Sequence, residues 1–222
     1  MSLKLFAEAI GKFTAGTLLL MAVLFLPARQ FFWQGELLLC ILLIPMFLCG
    51  LVLMKVNPEL LRKRLNAREK KKDQSQVIRL DGLMFLAGFI LAGFNIRWSR
   101  LVLPAWVSWT AAAVFLIAYG FYGEVLRENT YLSRTIEVQE NQKVVDTGLY
   151  GVVRHPMYSV TVVLFLAMPL VLGSPLAFLV FLQYPFLTAK RIRGEEKFLE
   201  ENLQGYREYE KKVPWHLIPY IW

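Results

Sequence analysis

Two polar segments in the last third of the chain carry side chains whose types and spacing suit chemistry. The first reads DTGLYGVVRHPMY and leads into a long apolar run. Because Pro156 has no amide hydrogen and suits the first turn of a helix, His155 is predicted near the N-cap of the next helix. Arg154, His155 and Tyr158 would then lie beside the free amide groups of a helix start, where an anionic group binds well. Taken alone, the same residues are typical of a helix end anchored at lipid headgroups.

The second segment reads KRIRGEEKFLEENLQGYREYEKKVPWHLIPYI and follows another apolar run. Arg191 and Glu195 are four residues apart, so on a helix they share a face, whereas the adjacent Glu196 points to another side. Tyr206 and Tyr209 are three apart and can share a face as well. By composition alone, this segment is typical of a charged surface helix with weak ion pairs.

The elements that must position these residues are membrane helices. Hydrophobic residues make up 56% of the 222-residue chain, and its charged residues are concentrated between long uncharged runs. A membrane-spanning helix needs about 20 mostly apolar residues to cross roughly 30 Å of hydrocarbon. Four runs meet that requirement, with boundaries predicted at 13–33, 37–54, 80–96 and 101–122. We therefore predict an all-α, polytopic membrane bundle of five to six hydrophobic helices.

Two shorter apolar runs, 157–172 and 175–189, are predicted to form a helical hairpin. A Gly-Ser-Pro sequence separates them, and Ser174 as N-cap with Pro175 in the first turn is a good helix-start signal. Each arm is short for a straight crossing, so both a spanning and a re-entrant hairpin are open. Either arrangement returns the chain to the side it left.

Positive charge is distributed unevenly between the two ends of this bundle. The net charge is +8, and alternating crossings place 22 of the 25 Lys and Arg residues at one end. By the positive-inside tendency, that end, with both termini and the candidate site, is predicted to be cytoplasmic. Because basic residues beside membrane helices report topology, nucleic-acid binding is not expected. The densest basic segment, 57–79, is predicted to be a solvated loop, with a helix on the membrane surface as the alternative.

These patterns divide the chain into two parts. Residues 1–122 form N-terminal transmembrane helices with a basic cytoplasmic linker at 55–79, and residues 123–222 form a catalytic region that includes the hairpin. Cys40 and Cys49 lie in one apolar run, match no metal-binding spacing and are expected to pack as small hydrophobic residues. No G-x-G-x-x-G follows a predicted strand, so a Rossmann domain is not expected.

Together, the two polar segments closely resemble the isoprenylcysteine carboxyl methyltransferase family. The shared pattern is G-x-Y-x-x-x-R-H-P-x-Y, an apolar hairpin, R-x-x-x-E-E and then G-Y-x-x-Y-x-x-x-V-P. The order of these blocks and the length of the hairpin make the set specific, over about a third of the chain. The residues that carry it are Gly148, Tyr150, Arg154, His155, Pro156, Tyr158, Arg191, Glu195, Glu196, Gly205, Tyr206, Tyr209, Val213 and Pro214.

The resemblance implies a membrane methyltransferase that uses S-adenosylmethionine, yields S-adenosylhomocysteine and encloses the cofactor at the cytoplasmic face of the membrane. It implies that Arg191 orients the acceptor, with Arg193 as the alternative, and that Glu195 or Glu196 contributes to catalysis. The implied cofactor-binding residues are Gly148, Leu149, Tyr150, Arg154, His155, Pro156, Tyr158, Glu195, Glu196, Tyr206 and Tyr209.

The acceptor that the resemblance implies is a carboxylate on a prenylcysteine-like or other lipidic molecule. The pKa of a carboxyl group in water is about 4, so the acceptor needs no general base at neutral pH, but it must be desolvated and held. An arginine fork suits its two oxygens. Three alternatives are open: a phospholipid amine methyltransferase, an NADPH-dependent sterol-type reductase and a non-enzymatic membrane scaffold. R-x-x-x-E-E argues against the reductase. The expected partners are the lipid bilayer and an amphiphilic acceptor.

Overall fold

The architecture is given by a computed structural model that describes residues 3–65, 72–98, 101–133 and 135–222. In these ranges the chain forms helices joined by turns and loops, and it contains no β-strand. The predicted all-α membrane bundle is confirmed. Its helices are α1 (Leu3–Ala28), α2 (Trp33–Val56), α3 (Pro58–Leu65), α4 (Lys72–Trp98), α5 (Ala105–Glu128), α6 (Pro156–Val171), α7 (Pro175–Phe181), α8 (Tyr184–Asn202) and α9 (Tyr206–Lys212).

Four helices, α1, α2, α4 and α5, are long and apolar enough to cross a membrane. Large apolar side chains on their outer faces are exposed, among them Leu18, Ile44, Leu83 and Ile117. Soluble proteins rarely expose apolar surface on this scale, whereas the hydrocarbon of a bilayer accepts it. The first span differs from the predicted 13–33, because Arg29 adopts a positive φ of 56° that ends α1.

The basic segment is more ordered than predicted. The prediction of a solvated loop over 57–79 is wrong for the described residues, since α3 occupies Pro58–Leu65 and α4 begins at Lys72. The Asn57 side chain accepts a hydrogen bond from Leu60 N at 3.0 Å, and Leu60 and Leu61 are buried. Capping and apolar burial therefore stabilise a helix that its charge alone would not. Residues 66–71 lie outside the described ranges.

Polar segments that were predicted to share one end of the bundle are in contact there. Lys12 Nζ donates to Leu65 O at 2.8 Å, and Lys63 Nζ donates to Gln139 Oε1 at 2.5 Å. At the same end, an ion pair joins Lys212 to Asp146 at 2.6 Å. These contacts bring α1, α3, the loop after α5 and α9 together. Arg100, which was predicted for the other end, lies outside the described residues.

The hairpin crosses the whole bundle. At its turn, Gly173 O accepts a hydrogen bond from Leu103 N at 2.9 Å, directly before α5. A Cβ on Gly173 would also lie 3.7 Å from Gln34 Nε2, at the start of α2. Both helices begin at the end remote from His155, so the turn lies at that end of the bundle, as the spanning alternative requires. Ser174 caps α7 as predicted, because its hydroxyl accepts from Ala177 N.

The second arm of the hairpin is divided, contrary to the single run predicted over 175–189. α7 ends at Phe181, and α8 begins at Tyr184 and continues to Asn202. Pro185 lies in the first turn of α8, where its missing amide hydrogen leaves no helical bond unmade, so it favours the start of a new helix at this position. As a result, α8 contains the last apolar residues of the arm and also the R-x-x-x-E-E block.

Two glycines of α4 hold the N-terminal helices against the hairpin. A Cβ on Gly88 would collide with the Phe181 ring of α7, and a Cβ on Gly93 would lie 2.5 Å from Leu24 O of α1. Small residues allow membrane helices to approach this closely. The core that results joins α1, α4 and the hairpin around Phe115, which is fully buried.

Candidate active site

A cavity of about 530 Å³ extends from the polar end of the bundle into its apolar interior. Both predicted polar blocks and the loop over 129–145 line its polar end, and α2, α4, α5 and α6 line its interior. Its volume lies within the roughly 300–1,000 Å³ of typical small-molecule sites. This main cavity therefore suits a ligand that is polar at one end and apolar at the other. Its apolar walls include Leu42, Met46, Phe85, Phe115, Leu164 and Phe165.

Arg191, Tyr158 and Glu195 form a hydrogen-bonded chain on the wall of the main cavity. Arg191 Nε donates to Tyr158 Oη at 2.8 Å, and Tyr158 Oη donates to Glu195 Oε2 at 2.6 Å. Arg191 and Glu195 share a face of α8, as predicted, and Tyr158 meets them from the first turn of α6. We call this arrangement the hydroxyl bridge. It holds a cationic and an anionic group side by side at the cavity.

Glu196 lies at the centre of a buried ion-pair cluster with Arg154, His155 and His216. Arg154 Nε donates to Glu196 Oε1 at 2.7 Å, and His155 Nε2 lies 3.1 Å from the same oxygen. His216 Nε2 lies 2.9 Å from Glu196 Oε2. The side chains of Arg154, His155 and Glu196 are each at most 10% exposed. An unpaired charge would be costly in such surroundings, so these residues must stay in contact. The cluster therefore holds together the start of α6, α8 and the residues after α9 (213–222), which we call the C-terminal segment.

The pKa of Glu196 is the most strongly lowered in this cluster. Burial opposes its ionisation, but hydrogen bonds from His155 and Arg154 outweigh the burial and hold the pKa of this carboxyl at about 2. Burial also acts against the charge of Arg154, yet the bond to Glu196 raises the pKa of its guanidinium above the usual value. This pair is therefore ionised across the physiological pH range.

His216 adds a neutral group to the cluster. Burial lowers its pKa below the usual value, so its ring is neutral at pH 7. Its Nε2 lies 2.8 Å from Arg154 Nη2, which only donates, and 2.9 Å from Glu196 Oε2, which only accepts when ionised. A given tautomer thus satisfies one of these two contacts. The ring also stacks on Trp222, with centroids 4.6 Å apart.

The C-terminal segment closes over the start of α6. Arg154 N donates to Trp215 O at 2.8 Å, and His155 N donates to His216 O at 2.9 Å. A third bond runs from Arg154 Nη1 to Val213 O at 2.9 Å. His155 is the N-cap residue of α6 and Pro156 is in its first turn, as predicted. These backbone bonds fix the orientation of the R-H-P-x-Y block.

Three tyrosines form an aromatic wall at the polar end of the main cavity. The rings of Tyr206 and Tyr209 lie 5.8 Å apart, which confirms their shared face, and Tyr209 Oη donates to Tyr150 O at 2.7 Å. Tyr206 Oη is buried and has no hydrogen-bond partner among the described residues. Burial raises the pKa of Tyr206 far above its usual value, so the hydroxyl stays a neutral donor. A buried donor of this kind is expected to meet a ligand.

Gly148 makes a tight turn before the R-H-P-x-Y block. Its φ is +52°, a conformation that favours glycine, and a Cβ here would occupy the position of the Glu128 carboxylate. Glu128 Oε2 accepts from Leu149 N at 3.0 Å. The turn is therefore held from the end of α5, by a residue that the sequence patterns did not single out.

The structure gathers most, but not all, of the predicted site residues at the main cavity. Arg191 lines it, whereas Arg193 is exposed and is not one of its walls, which separates the two candidate arginines by position. The predicted residues that line the cavity are Tyr150, Arg154, His155, Tyr158, Arg191, Glu195, Tyr206 and Tyr209. Gly148, Leu149, Pro156 and Glu196 are not among its described walls.

Sequence reasoning missed two groups of residues at this site. The first is the contribution of α2, because Leu42 and Met46 line the interior of the cavity beside the residues of α4, α5 and the hairpin. The second is polar: Asp81 of α4 lines the cavity, and its Oδ1 is buried without a hydrogen-bond partner in the described chain. An acidic residue inside a predicted span was the available signal for Asp81.

Comparison with known proteins supports the motif analysis. The model of the isoprenylcysteine carboxyl methyltransferase (ICMT) family matches residues 109–201. The predicted family resemblance is confirmed. The matched region contains the whole hydroxyl bridge and the Arg154, His155 and Glu196 side chains of the ion-pair cluster.

Part of the chain is also similar to part of a reductase. Over 91 residues, which are 40% of this chain, the sequence is 31% identical to the Delta(14)-sterol reductase of Mus musculus. The match covers 22% of the length of that protein. The chain therefore shares one limited region with this relative.

Proposed function

We propose that this protein is a membrane-embedded methyltransferase that uses S-adenosylmethionine to methylate a carboxylate on a prenylcysteine-like or other lipidic acceptor. The observation that carries the proposal is the lining of the main cavity. The hydroxyl bridge and aromatic wall occupy its polar end, and apolar side chains of four helices line its interior. An acceptor with a charged head and a hydrocarbon tail matches this division.

The residues at the polar end fit the cofactor. Tyr206 offers a buried hydroxyl without a partner in the described chain. The rings of Tyr150 and Tyr209 offer faces that attract a cation, and the Glu195 carboxylate adds negative charge. A sulfonium nucleoside with hydroxyl and amino groups needs this combination of groups. When bound, S-adenosylmethionine supplies a methyl group attached to a positively charged sulfur.

Arg191 is proposed to hold the acceptor carboxylate. Its Nε is bonded to Tyr158, which sets the plane of the guanidinium at the cavity wall. A carboxylate is ionised at neutral pH, so this role needs binding and orientation rather than a base. Because the transfer neutralises a cation and an anion, a site from which water is excluded favours it.

Glu195 and Glu196 are proposed to have different roles. Glu195 lines the main cavity beside the hydroxyl bridge, so it can contact the cofactor directly. Glu196 is held by Arg154 and His155 and acts as a positioning residue that fixes α8 against α6. His155 lines the cavity while bonded to Glu196, so it joins the two regions.

The polar end of the main cavity is proposed to face the cytoplasm. The concentration of Lys and Arg at that end supports this orientation through the positive-inside tendency. A reporter fused to the C-terminus tests it: activity only in a cytoplasmic format is expected, and activity only on the other side would contradict the orientation.

A phospholipid amine acceptor is the first alternative, and Asp81 is the observation that favours it. This carboxyl lines the main cavity with one oxygen unpartnered in the described chain, and it would attract a cationic amine and repel a carboxylate. It also offers a base, which an amine acceptor needs. Asp81→Asn should abolish amine methylation but preserve carboxyl methylation.

A sterol-type reductase is the second alternative, favoured by the similarity to the Delta(14)-sterol reductase. That enzyme class would require a reduced nicotinamide cofactor in the main cavity. The anionic Glu195 at the polar end is unfavourable for the phosphates of such a cofactor. Binding of NADPH is therefore the property that separates the two functions.

Ligand-dependent stability tests the proposal most directly. The purified full chain is titrated with S-adenosylmethionine, S-adenosylhomocysteine and NADPH while its Tm is followed, because ligands that bind the native state raise it. A rise with the two adenosyl compounds alone is expected. A rise in Tm with NADPH alone would favour the reductase over the methyltransferase. No rise in Tm with any of the three compounds would favour a non-enzymatic membrane scaffold.

Acceptor class is tested with a labelled methyl group. Prenylcysteines, fatty acids and phosphatidylethanolamine are offered to the protein in turn, and transfer to the carboxylates is expected. Glu195→Gln should weaken cofactor binding, while Glu201→Gln, an exposed change on the same helix, is the matched control. Equal effects of the two variants would contradict the role given to Glu195.

A further inference from the structure

A second cavity of about 420 Å³ lies between α1, α2, α3 and α5, outside the site described above. Its volume is also within the roughly 300–1,000 Å³ of small-molecule sites. Most of its walls are apolar, and they include Phe6, Phe13, Phe47, Leu51, Met54 and Leu61. A hydrocarbon chain is the type of ligand that such a lining accepts.

Two cationic side chains, Lys12 and Arg64, line the same cavity. Lys12 is already paired, since its Nζ lies 2.7 Å from Glu8 Oε1. Arg64 donates a hydrogen bond to the hydroxyl of Tyr122, and its Cζ lies 5.6 Å from the centre of that ring. Within the part of the chain that the structure describes, no carboxylate forms an ion pair with Arg64. The cavity thus presents a positive charge that lacks a counter-ion there.

Further positive charge surrounds this position. Arg62 and Lys63 precede Arg64 on α3, and the same helix buries Leu60 and Leu61 against the bundle. Basic residues at a membrane surface attract anionic lipid. α3 therefore places a cationic surface directly beside an apolar cavity that lies between the spans α1, α2 and α5.

We propose that the second cavity binds one acyl chain of an anionic phospholipid, with the lipid phosphate on Arg64. The apolar walls accept the chain, and the guanidinium offers several N–H donors for phosphate oxygens. A zwitterionic lipid also offers a phosphate, but the cation of its own headgroup compensates that charge, so charge complementarity beside Arg64 favours a headgroup with net negative charge. This site is independent of the methyltransferase proposal.

The two cavities adjoin at a common wall. Met46, Arg64, Tyr119 and Tyr122 line both of them. A phosphate on Arg64 would therefore lie at the boundary between the two cavities. Lipid binding is measured directly and needs no assay of catalysis.

Two glycines in the wall of the second cavity allow it to be filled by substitution. Gly16 of α1 and Gly50 of α2 line it, and a Cβ on either would meet no atom within 4 Å. Gly16→Leu and Gly50→Leu should therefore fill the cavity without disturbing the fold, and leucine favours a helix over glycine. Gly11→Leu is the matched control, because Gly11 also has open space on α1 but does not line the cavity.

Native mass spectrometry of the full chain in detergent tests the proposal, with dioleoyl phosphatidylglycerol and dioleoyl phosphatidylcholine as probes. Phosphatidylglycerol should bind at least about tenfold more tightly, since a charge-assisted hydrogen bond adds to burial of the chain. Arg64→Gln should remove most of that preference, and Arg64→Lys should retain part of it. Arg193→Gln, the loss of an exposed arginine elsewhere, should leave it unchanged.

The cavity variants distinguish this site from general lipid adhesion. Gly16→Leu and Gly50→Leu should weaken phosphatidylglycerol binding about tenfold, whereas Gly11→Leu should retain the affinity of the unmodified chain. Equal binding of both lipids, or unchanged binding in both cavity variants, would overturn the proposal. Equal Tm values of the glycine variants establish that a loss of binding is not a loss of folding.

Discussion

The hydroxyl bridge and the ion-pair cluster are built from adjacent residues of α8, yet they meet different physical demands. Glu195 lies at the wall of a cavity, where one tyrosine hydroxyl holds it beside Arg191. Glu196 is buried behind that wall and bonded to Arg154 and His155. The first arrangement leaves charged groups next to a ligand, and the second satisfies them within the protein. The comparison indicates that Glu195 is placed to bind a ligand, whereas Glu196 is placed to stabilise the fold around the site.

Removing the carboxylate of the ion-pair cluster should have the largest effect on stability. Glu196→Ala leaves the buried Arg154 guanidinium without its partner, which typically costs about 3–5 kcal/mol. Thermal unfolding in detergent measures the loss. Glu201→Ala, an exposed change on the same helix, is the control. Equal Tm values for the two variants would show that the cluster does not support the fold.

Acid should weaken the same cluster in a defined pH range. The pKa of Glu196 is lowered from 4.5 to about 2, so its contribution is complete above pH 4.5 and is lost as the pH falls toward 2. A shift of this size corresponds to something on the order of 3 kcal/mol. Tm is measured between pH 6 and pH 2.5 for the unmodified chain and for Glu196→Gln. The variant should lose less stability over this range, and parallel curves would contradict the assignment.

Changes in the hydroxyl bridge should reduce activity rather than stability. Arg191→Ala is expected to lower kcat/KM for the acceptor about 100-fold, or roughly 2.7 kcal/mol, because the acceptor carboxylate loses its charged partner. Arg193→Ala should retain activity, since that side chain is exposed and does not line the main cavity. Comparable losses in both variants would remove the distinction between the two arginines.

Deletion of a single hydroxyl tests whether the bridge positions its members. Tyr158→Phe retains Arg191 and Glu195 but removes the atom that joins them, so a decrease of about tenfold in kcat/KM is expected. Steady-state kinetics with the methyl acceptor measure it. Tyr220→Phe is the control, because that ring is 86% exposed. Unchanged kinetics in Tyr158→Phe would mean that the bridge is not needed to hold Arg191.

Local spacing was sufficient for the pairs that a single helix brings together. Arg191 and Glu195 share a face because they are four residues apart, and Tyr206 and Tyr209 do so because they are three apart. The helix start at His155 and Pro156 follows from the missing amide hydrogen of proline. Each of these predictions depends on geometry within a few residues.

Spacing could not reveal contacts between distant parts of the chain. His216 follows the apolar sequence Val213-Pro214-Trp215, and only the folding of the C-terminal segment over α6 brings it to Glu196. The apolar wall residues of α2 likewise look like any membrane-facing residues in sequence. Which of two adjacent glutamates faces the cavity depends on how α8 is rotated against α6.

The sequence by itself determined a helical membrane bundle, its main spans and the two polar blocks, because hydrophobicity and helical periodicity are local properties. Only the tertiary structure decided that the hairpin crosses the bundle, that its second arm is divided between α7 and α8, and that Glu196 is buried behind the main cavity. Those outcomes depend on which helix faces pack together. Packing is set by close approaches such as Gly88 against Phe181, between residues that are far apart in the chain.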